Sequence, residues 1–173
     1  MVEALTVVDM GVEHIEIFGR MLAEMVAEAP CNYSITPAYA AEYGSGQKFI
    51  TGMKKVVQEN SVGRFVAIDG AGECVGAVTT SQKQESSRIG NMYVRLAARV
   101  LGAGTMLLNA CEQRAVLDGY AHTSLVVGST NHVARGFYAR RGYVALDPPE
   151  LEAWELHPGV YGETLIKALT PSI

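Results

Sequence analysis

Apolar positions along the chain change their period several times, and each change marks an element. "ALTVVDM" near the start is rich in β-branched residues and predicts a strand. "GVEHIEIFGRMLAEMVAEA" follows, with Ile15, Phe18, Leu22, Met25 and Ala29 spaced three and four apart, so that they share one face of an amphipathic helix. Pro30 ends that helix. "PCNYSITPAYAAEYGSGQ" mixes turn residues with Tyr33, Tyr39 and Tyr43 and predicts irregular chain ahead of a second helix in "KFITGMKKVVQEN".

The period then falls to two. "RFVAID" and "CVGAVTTSQ", joined at "GAGE", predict an antiparallel hairpin, and "SSRIGNMYV" a further strand. Beyond "RVLGAGT", the residues Met106, Leu107, Ala110, Cys111 and Leu117 predict the buried face of a helix that Gly119 caps. "TSLVV" predicts a buried strand and "NHVARGFYARRGY" a short helix. Pro148 and Pro149 open a loop through "ELEAWELHPGVYG", and "ETLIKAL" supplies the last strand. Helices alternating with runs of consecutive strands argue against a purely parallel, doubly wound sheet. They favour an α/β fold with a mixed sheet and helices on both faces.

The length of 173 residues suits one domain, 1–173, able to bury roughly 70% of its unfolded surface without disulfides or metal. A net charge of −4 argues against general nucleic-acid binding and weighs slightly towards a cationic small-molecule partner. Cys31, Cys74 and Cys111 are far apart and lack ligand spacing, and His14, His122 and His157 show none either, so no metal is expected. Glu13, Glu16, Arg20 and Glu24 interrupt any signal-like run near the start. The apolar runs fall short of the roughly 20 residues a membrane span needs. A cytoplasmic protein with no membrane partner is the expectation, which makes the Asn32-Tyr33-Ser34 sequon a chance match.

"RVLGAGT" carries the candidate chemistry. A glycine-rich turn between a strand and a helix aims free N–H groups and the positive end of the helix dipole at one point, which favours phosphate. A P-loop requires a lysine that the residues after Gly104 do not provide. A dinucleotide fingerprint requires a small residue where Leu107 stands and an acid where Val127 and Gly128 stand. Arg99, Gly102 and Gly104 do fit [RQ]xxGx[GA], and "NHVARGFYARRGY" fits Nxx[A]xxxYxxxG[FY] with Asn131, Ala134, Tyr138, Gly142 and Tyr143 in register.

With these two spaced motifs the sequence resembles the GNAT superfamily of acyl-coenzyme A-dependent N-acetyltransferases. The resemblance implies a single domain with a mostly antiparallel twisted sheet flanked by helices, and acetyl-coenzyme A as acyl donor. It places the donor's pyrophosphate on the amides of Val100, Leu101, Gly102, Ala103, Gly104 and Thr105, with Arg99 at the loop's start. It assigns polarisation of the acyl carbonyl to the backbone of Met92, Tyr93 and Val94, a contact with the pantetheine arm to Asn131, and protonation of the departing thiolate to Tyr138. Asn131 also suits a helix N-cap, and Gly142 a left-handed cap. "RLAAR" lacks the proline that many relatives carry before the loop arginine.

The acceptor is read as a small-molecule or peptide amine, and transfer as direct attack in a ternary complex, since no cysteine sits in a nucleophile motif. No general base is assignable: Arg88 stands where some relatives have a glutamate, and Val126 at another acidic position. Glu85, Glu28 and His132 remain as groups that water could connect to the amine. Asn32 to Tyr43 could build the acceptor site or pack the core, and Trp154 could do either. Arg135, Arg140 and Arg141 could be solvated or meet the donor's outer phosphate. A non-catalytic acyl-coenzyme A-binding or regulatory module is the rival reading. Dimers through the C-terminal strands are common among the proteins it resembles, so a homodimer is also in view.

Overall fold

The computed structural model describes residues 4–59 and 62–170. The first strand, β1 (Thr6–Asp9), leads through a 3₁₀ turn into α1 (Ile15–Glu28), whose buried face includes the expected Ile15, Phe18, Leu22 and Met25. The stretch expected to be irregular holds a helix, α2 (Pro37–Ser45). Thr36 accepts the Tyr39 N–H at 3.1 Å and Pro37 stands at the first helical position, so Thr-Pro was the start signal. A third helix, α3 (Gln47–Glu59), follows. α1 and α2 touch backbone to backbone at Gly19 and Gly44, where a β-carbon on either would come within 2.1–2.4 Å of the other's carbonyl oxygen.

The sheet is built from β1, β2 (Arg64–Ile68), β3 (Cys74–Lys83), β4 (Ser86–Val94), β5 (His122–Gly128), β6 (Val144–Ala145), β7 (Leu151–Ala153) and β8 (Tyr161–Ala168). Its order is β1-β2-β3-β4-β5-β8-β6, with β7 also on β8. Every pairing is antiparallel except β4 with β5. The predicted mixed sheet, mostly antiparallel, is therefore what forms. The short strands β6 and β7 fall where no alternation was visible, and both are exposed along their length; β7 lies within the stretch expected to be loop.

Helices cover both faces. On one side α5 (Ala103–Leu117), preceded by a single turn α4 (Leu96–Arg99), packs Leu107, Leu108 and Cys111 against Phe65, Val78 and Leu125. On the other, α1 packs Phe18, Met21 and Val26 with Val66 and Ala77. Strand residues with both faces covered read as continuous apolar runs, as in "FVAI". Leu117, expected in the core, is 83% exposed. The buried face of α5 runs through positions 103, 107, 108, 111 and 115, which turns the last residue of the helix outward. The final helix, α6 (His132–Ala139), lies beside the start of α5, and Gly142 (φ +86°) ends it as expected.

Candidate functional site

Two local departures from regular pairing open the sheet. β4 and β5 pair only from Ser86–His122 to Arg88–Ser124, after which β5 stays on β8 and β4 stays on β3, so the parallel strands diverge. In β4, Gly90 opposes Thr79 and Tyr93 opposes Ala77, which leaves Asn91 and Met92 facing one partner residue; Asn91 has φ +50°. This bulge turns the strand end into the gap.

The gap holds two adjoining cavities. One, of about 520 Å³, is bounded by the end of β4, the first turn of α5, one side of α6 and the C-terminal turn of α1. The other, of about 290 Å³, runs between β4 and β5 under the segment 32–35, with Glu152 and Trp154 at its side. Met92 and Tyr138 line both.

The glycine loop supplies the first cavity's phosphate-compatible end. Gly102 caps α5 in the left-handed conformation, φ +87°, which a β-carbon would disfavour. Gly104, one residue inside the helix, and Thr105 line the cleft. Val100 is 89% exposed, Leu101 is exposed and Ala103 is fully buried, so none of these side chains forms the cleft wall. Met92, Tyr93, Val94, Arg99, Asn131 and Tyr138 do line it. Eight of the predicted site residues thus converge on one cavity, brought there by four different elements.

Arg99 is not free to roam. Its guanidinium meets Glu28 at 2.6 Å and donates to the Val94 carbonyl at 2.8 Å, while the Tyr93 hydroxyl donates to Glu28 at 3.2 Å. Hydrogen bonding to Arg99, followed by its charge, holds the Glu28 carboxyl below its ordinary range, which makes it a weak base. Among the arginines of the second motif, Arg135 is bound to Glu163 at 2.6 Å. Arg141 lies over the Phe137 ring at 3.7 Å and donates to the Phe137 carbonyl and the Thr105 hydroxyl. Arg140 and Arg141 line the first cavity next to Thr105, so two cations and a helix N-terminus face one another there, a setting suited to a phosphorylated donor.

Among the described residues the Tyr138 hydroxyl has a single close partner, the Met92 thioether sulfur at 3.6 Å. Thioethers are weak acceptors, so the proton is available to a stronger one. Burial holds the phenol's pKa well above its usual value. Tyr33, which lines both cavities, is pushed up to about 12 by burial and by Glu28. Asn131 caps α6 through its side-chain oxygen, accepting the Ala134 N–H at 3.2 Å. Burial raises the thiols of Cys74 and Cys111, so neither is an activated nucleophile. Trp154 is buried against Gly128 and Gly162, paired across β5 and β8, where a β-carbon would come within 3.0 Å of the indole.

The three candidate proton acceptors fare differently. Glu85 lies in the exposed β3–β4 turn, seven residues along the chain from Met92; His132 is exposed and lines neither cavity; Glu28 lines the first but is held by Arg99. Sequence reasoning missed Glu152, the one carboxylate lining the second cavity. It stands on a three-residue exposed strand that no periodicity announces. Among the described residues no group of three or more His, Cys, Asp or Glu side chains could hold a metal, and no helix is long and apolar enough to cross a membrane.

A family model described as an acetyltransferase (GNAT) domain matches residues 39–157, well over half of the chain, and the chain belongs to that family, whose members draw acyl groups from acetyl-coenzyme A. An acetyltransferase from Acinetobacter baylyi ADP1 is similar with TM-score 0.80 at 12% identity, covering 99% of this chain and 97% of its own. An N-acetyltransferase from Staphylococcus aureus Mu50 gives TM-score 0.79 at 12% identity, with 96% and 99% covered. The PaiA N-acetyltransferase from Thermoplasma acidophilum, solved in complex with coenzyme A, gives 0.76 at 16% identity, with 95% and 99% covered. At these identities the likeness is one of fold. Curated proteins contain no significant sequence match.

Proposed function

We propose that the protein is an acetyl-coenzyme A-dependent N-acetyltransferase in which a bound primary amine attacks the thioester directly, with Tyr138 as general acid. The observation that carries this reading is the position of the Tyr138 hydroxyl at the junction of the two cavities, with only Met92 Sδ to hold it. The larger cavity, with Gly104, Thr105, Arg140 and Arg141 at one end, takes the donor, and the smaller takes the acceptor. The end of β4, loosened by its bulge, offers backbone N–H groups to the acyl oxygen as charge develops there. As the new C–N bond forms and the C–S bond breaks, Tyr138 gives its proton to the sulfur. Burial keeps the phenol protonated until the sulfur takes its proton.

The attacking amine must be neutral. A lysine-like amine is about 0.04% neutral at pH 7, a cost near 4.6 kcal/mol, whereas an amine of pKa about 8 costs about 1.4. Glu152, through water, receives the proton in this scheme. The rival reading, a non-catalytic acyl-coenzyme A-binding module, draws on the neutralisation of Glu28 by Arg99, which leaves the donor cavity without a base. Thiol release from acetyl-coenzyme A with a broad amine panel, with mass analysis of the products, tests the proposal. Acetylated amine, lost in Tyr138→Phe, supports transfer. Tight donor binding with no product from any amine supports the module.

A further inference from the structure

A third cavity, of about 370 Å³, adjoins the acceptor cavity at Arg88, Gly90 and Asn91 and lies under α1 and α2. Its walls are largely apolar, with Tyr39, Tyr43 and Phe49 among them. Among the described residues lining it, two carry charge, Arg64 and Arg88, and none is a carboxylate. Arg64 Nη1 donates to the Val62 carbonyl at 3.2 Å, but its Nε is buried with no hydrogen-bond partner among the described residues. Arg88 stands on β4 at the last paired position before the strands diverge. Glu150 is committed to Lys83 at 3.1 Å.

A guanidinium taken from water without an anion is costly, because it stays charged and its N–H groups go unpaired. Arg64 meets that condition at its Nε, and the half-buried Arg88 lines the same cavity; together they make a receptor for an anion, and their planar forks match a carboxylate. Arg88 also lines the acceptor cavity, where Glu152 is the opposite charge. Met92 stands four positions after Arg88 on β4, about 13 Å of strand.

We propose that the acceptor carries, besides its amine, a carboxylate several bonds away, received by Arg88 with Arg64 behind it, while an apolar spacer lies along β4. This rests on the N-acetyltransferase reading for the role of the amine. Carboxylate is preferred to phosphate because the acceptor cavity balances one cation against one carboxylate, which matches a neutral zwitterion rather than a dianion. The overall charge of −4 does not oppose this, since exposed charges beyond about 10 Å are screened and the arginines are local.

The test compares β-alanine, ε-aminocaproate and para-(aminomethyl)benzoate with their primary amides and with an aminoalkyl phosphonate. Two readouts are taken: acetyl-coenzyme A-dependent thiol release, and fluorescence of Trp154, the chain's single tryptophan, titrated in the presence of coenzyme A. At least one carboxylate is expected to be preferred over its amide by about 10- to 100-fold. That ratio should collapse towards one in Arg88→Gln and partly return in Arg88→Lys, each variant checked for folding by its melt. Parity of acids and amides in the wild-type protein, by both readouts, overturns the inference. So does tighter binding of the phosphonate than of any carboxylate. A carboxylate-selective fluorescence change without thiol release supports this inference and sinks the transferase reading. Turnover of amines with no carboxylate preference does the reverse.

Discussion

Adding one methyl group at either glycine of the loop separates its two structural roles. At Gly104 the backbone is ordinary helix, and a β-carbon would meet the Phe137 ring at 3.4 Å and Met92 Cε at 3.6 Å, which is normal contact. Gly104→Ala should therefore fit, and by lowering the entropy of the unfolded chain gain about 0.5 kcal/mol, raising Tm by about 1–2 °C. At Gly102 the added carbon meets nothing within 4 Å, but φ is +87°, so Gly102→Ala costs about 1–2 kcal/mol through the backbone alone. The ligand-induced shift runs the other way, full in Gly102→Ala and reduced in Gly104→Ala. The new methyl at position 104 lies in the cleft where a pyrophosphate would approach the first turn of α5. Losing one charge-assisted contact there, at about 2 kcal/mol, weakens Kd about 30-fold. At a donor concentration 100 times the wild-type Kd, ligand stabilisation falls from about 2.7 to about 0.9 kcal/mol. Thermal melts with and without acetyl-coenzyme A, backed by calorimetric titration, read both numbers. A Gly104→Ala protein that is stabilised and still shows the full ligand-induced shift would refute the close approach at this glycine.

Tyr138→Phe keeps the edge contacts with Phe137 at 5.2 Å and Tyr143 at 5.7 Å, so stability should change by less than about 1 kcal/mol; kcat should fall about 100-fold or more, and steady-state rates beside a melt decide it. Gly128→Ala places a β-carbon 2.8 Å from the Asn32 carbonyl and 2.9 Å from the Trp154 ring. It should cost about 1–3 kcal/mol and shift Trp154 emission to the red, whereas an unmoved spectrum and melt would deny the close packing. Glu28 has its pKa lowered chiefly by Arg99, so its contribution to stability is complete above the ordinary 4.5 and lost as pH falls through the depressed value. With both side chains over a third exposed, the pair is worth no more than about 1 kcal/mol. Glu28→Gln should therefore be less stable than wild type at pH 7, with the two melts converging between about pH 5 and pH 2; a gap that widens in acid would contradict this.

Much of the fold was legible because long elements declare their period. α1 and α5 were readable from spacing, and the doubly covered strands from their continuous apolar runs. What escaped had a local cause. α2 was hidden by its tyrosines and glycines, although Thr36-Pro37 marks its start. Its Gly44 lies against Gly19 rather than breaking the helix, and that tertiary contact has no signature in either segment alone. β6 and β7 are two and three residues long, too short to show alternation, and owe their pairing to β8. Leu117 was placed inward by counting, but the apolar stripe of α5 ends at Ala115.

The cleft proposed for the donor was legible for a different reason from the fold. Its groups come from short, ordered motifs, so Arg99 to Thr105 and Asn131 to Tyr143 carry their geometry with them. The cavity proposed for the acceptor has no such motif. It exists because β4 loses its parallel partner after Arg88 and bulges at Asn91, and that gap gathers Tyr33, Glu152 and Trp154 from distant parts of the chain. Arg88 shows the difference most clearly. In the sequence it was an arginine standing where some relatives carry an acid, and so only a missing base. In the folded chain the same residue borders two cavities, with Arg64 sharing one and no acid bound to it within ion-pair distance among the described residues. An absent base in a motif thus becomes a present cation in a cavity, and on the reading proposed above it turns the question of who removes the proton into the question of which acceptor brings a carboxylate.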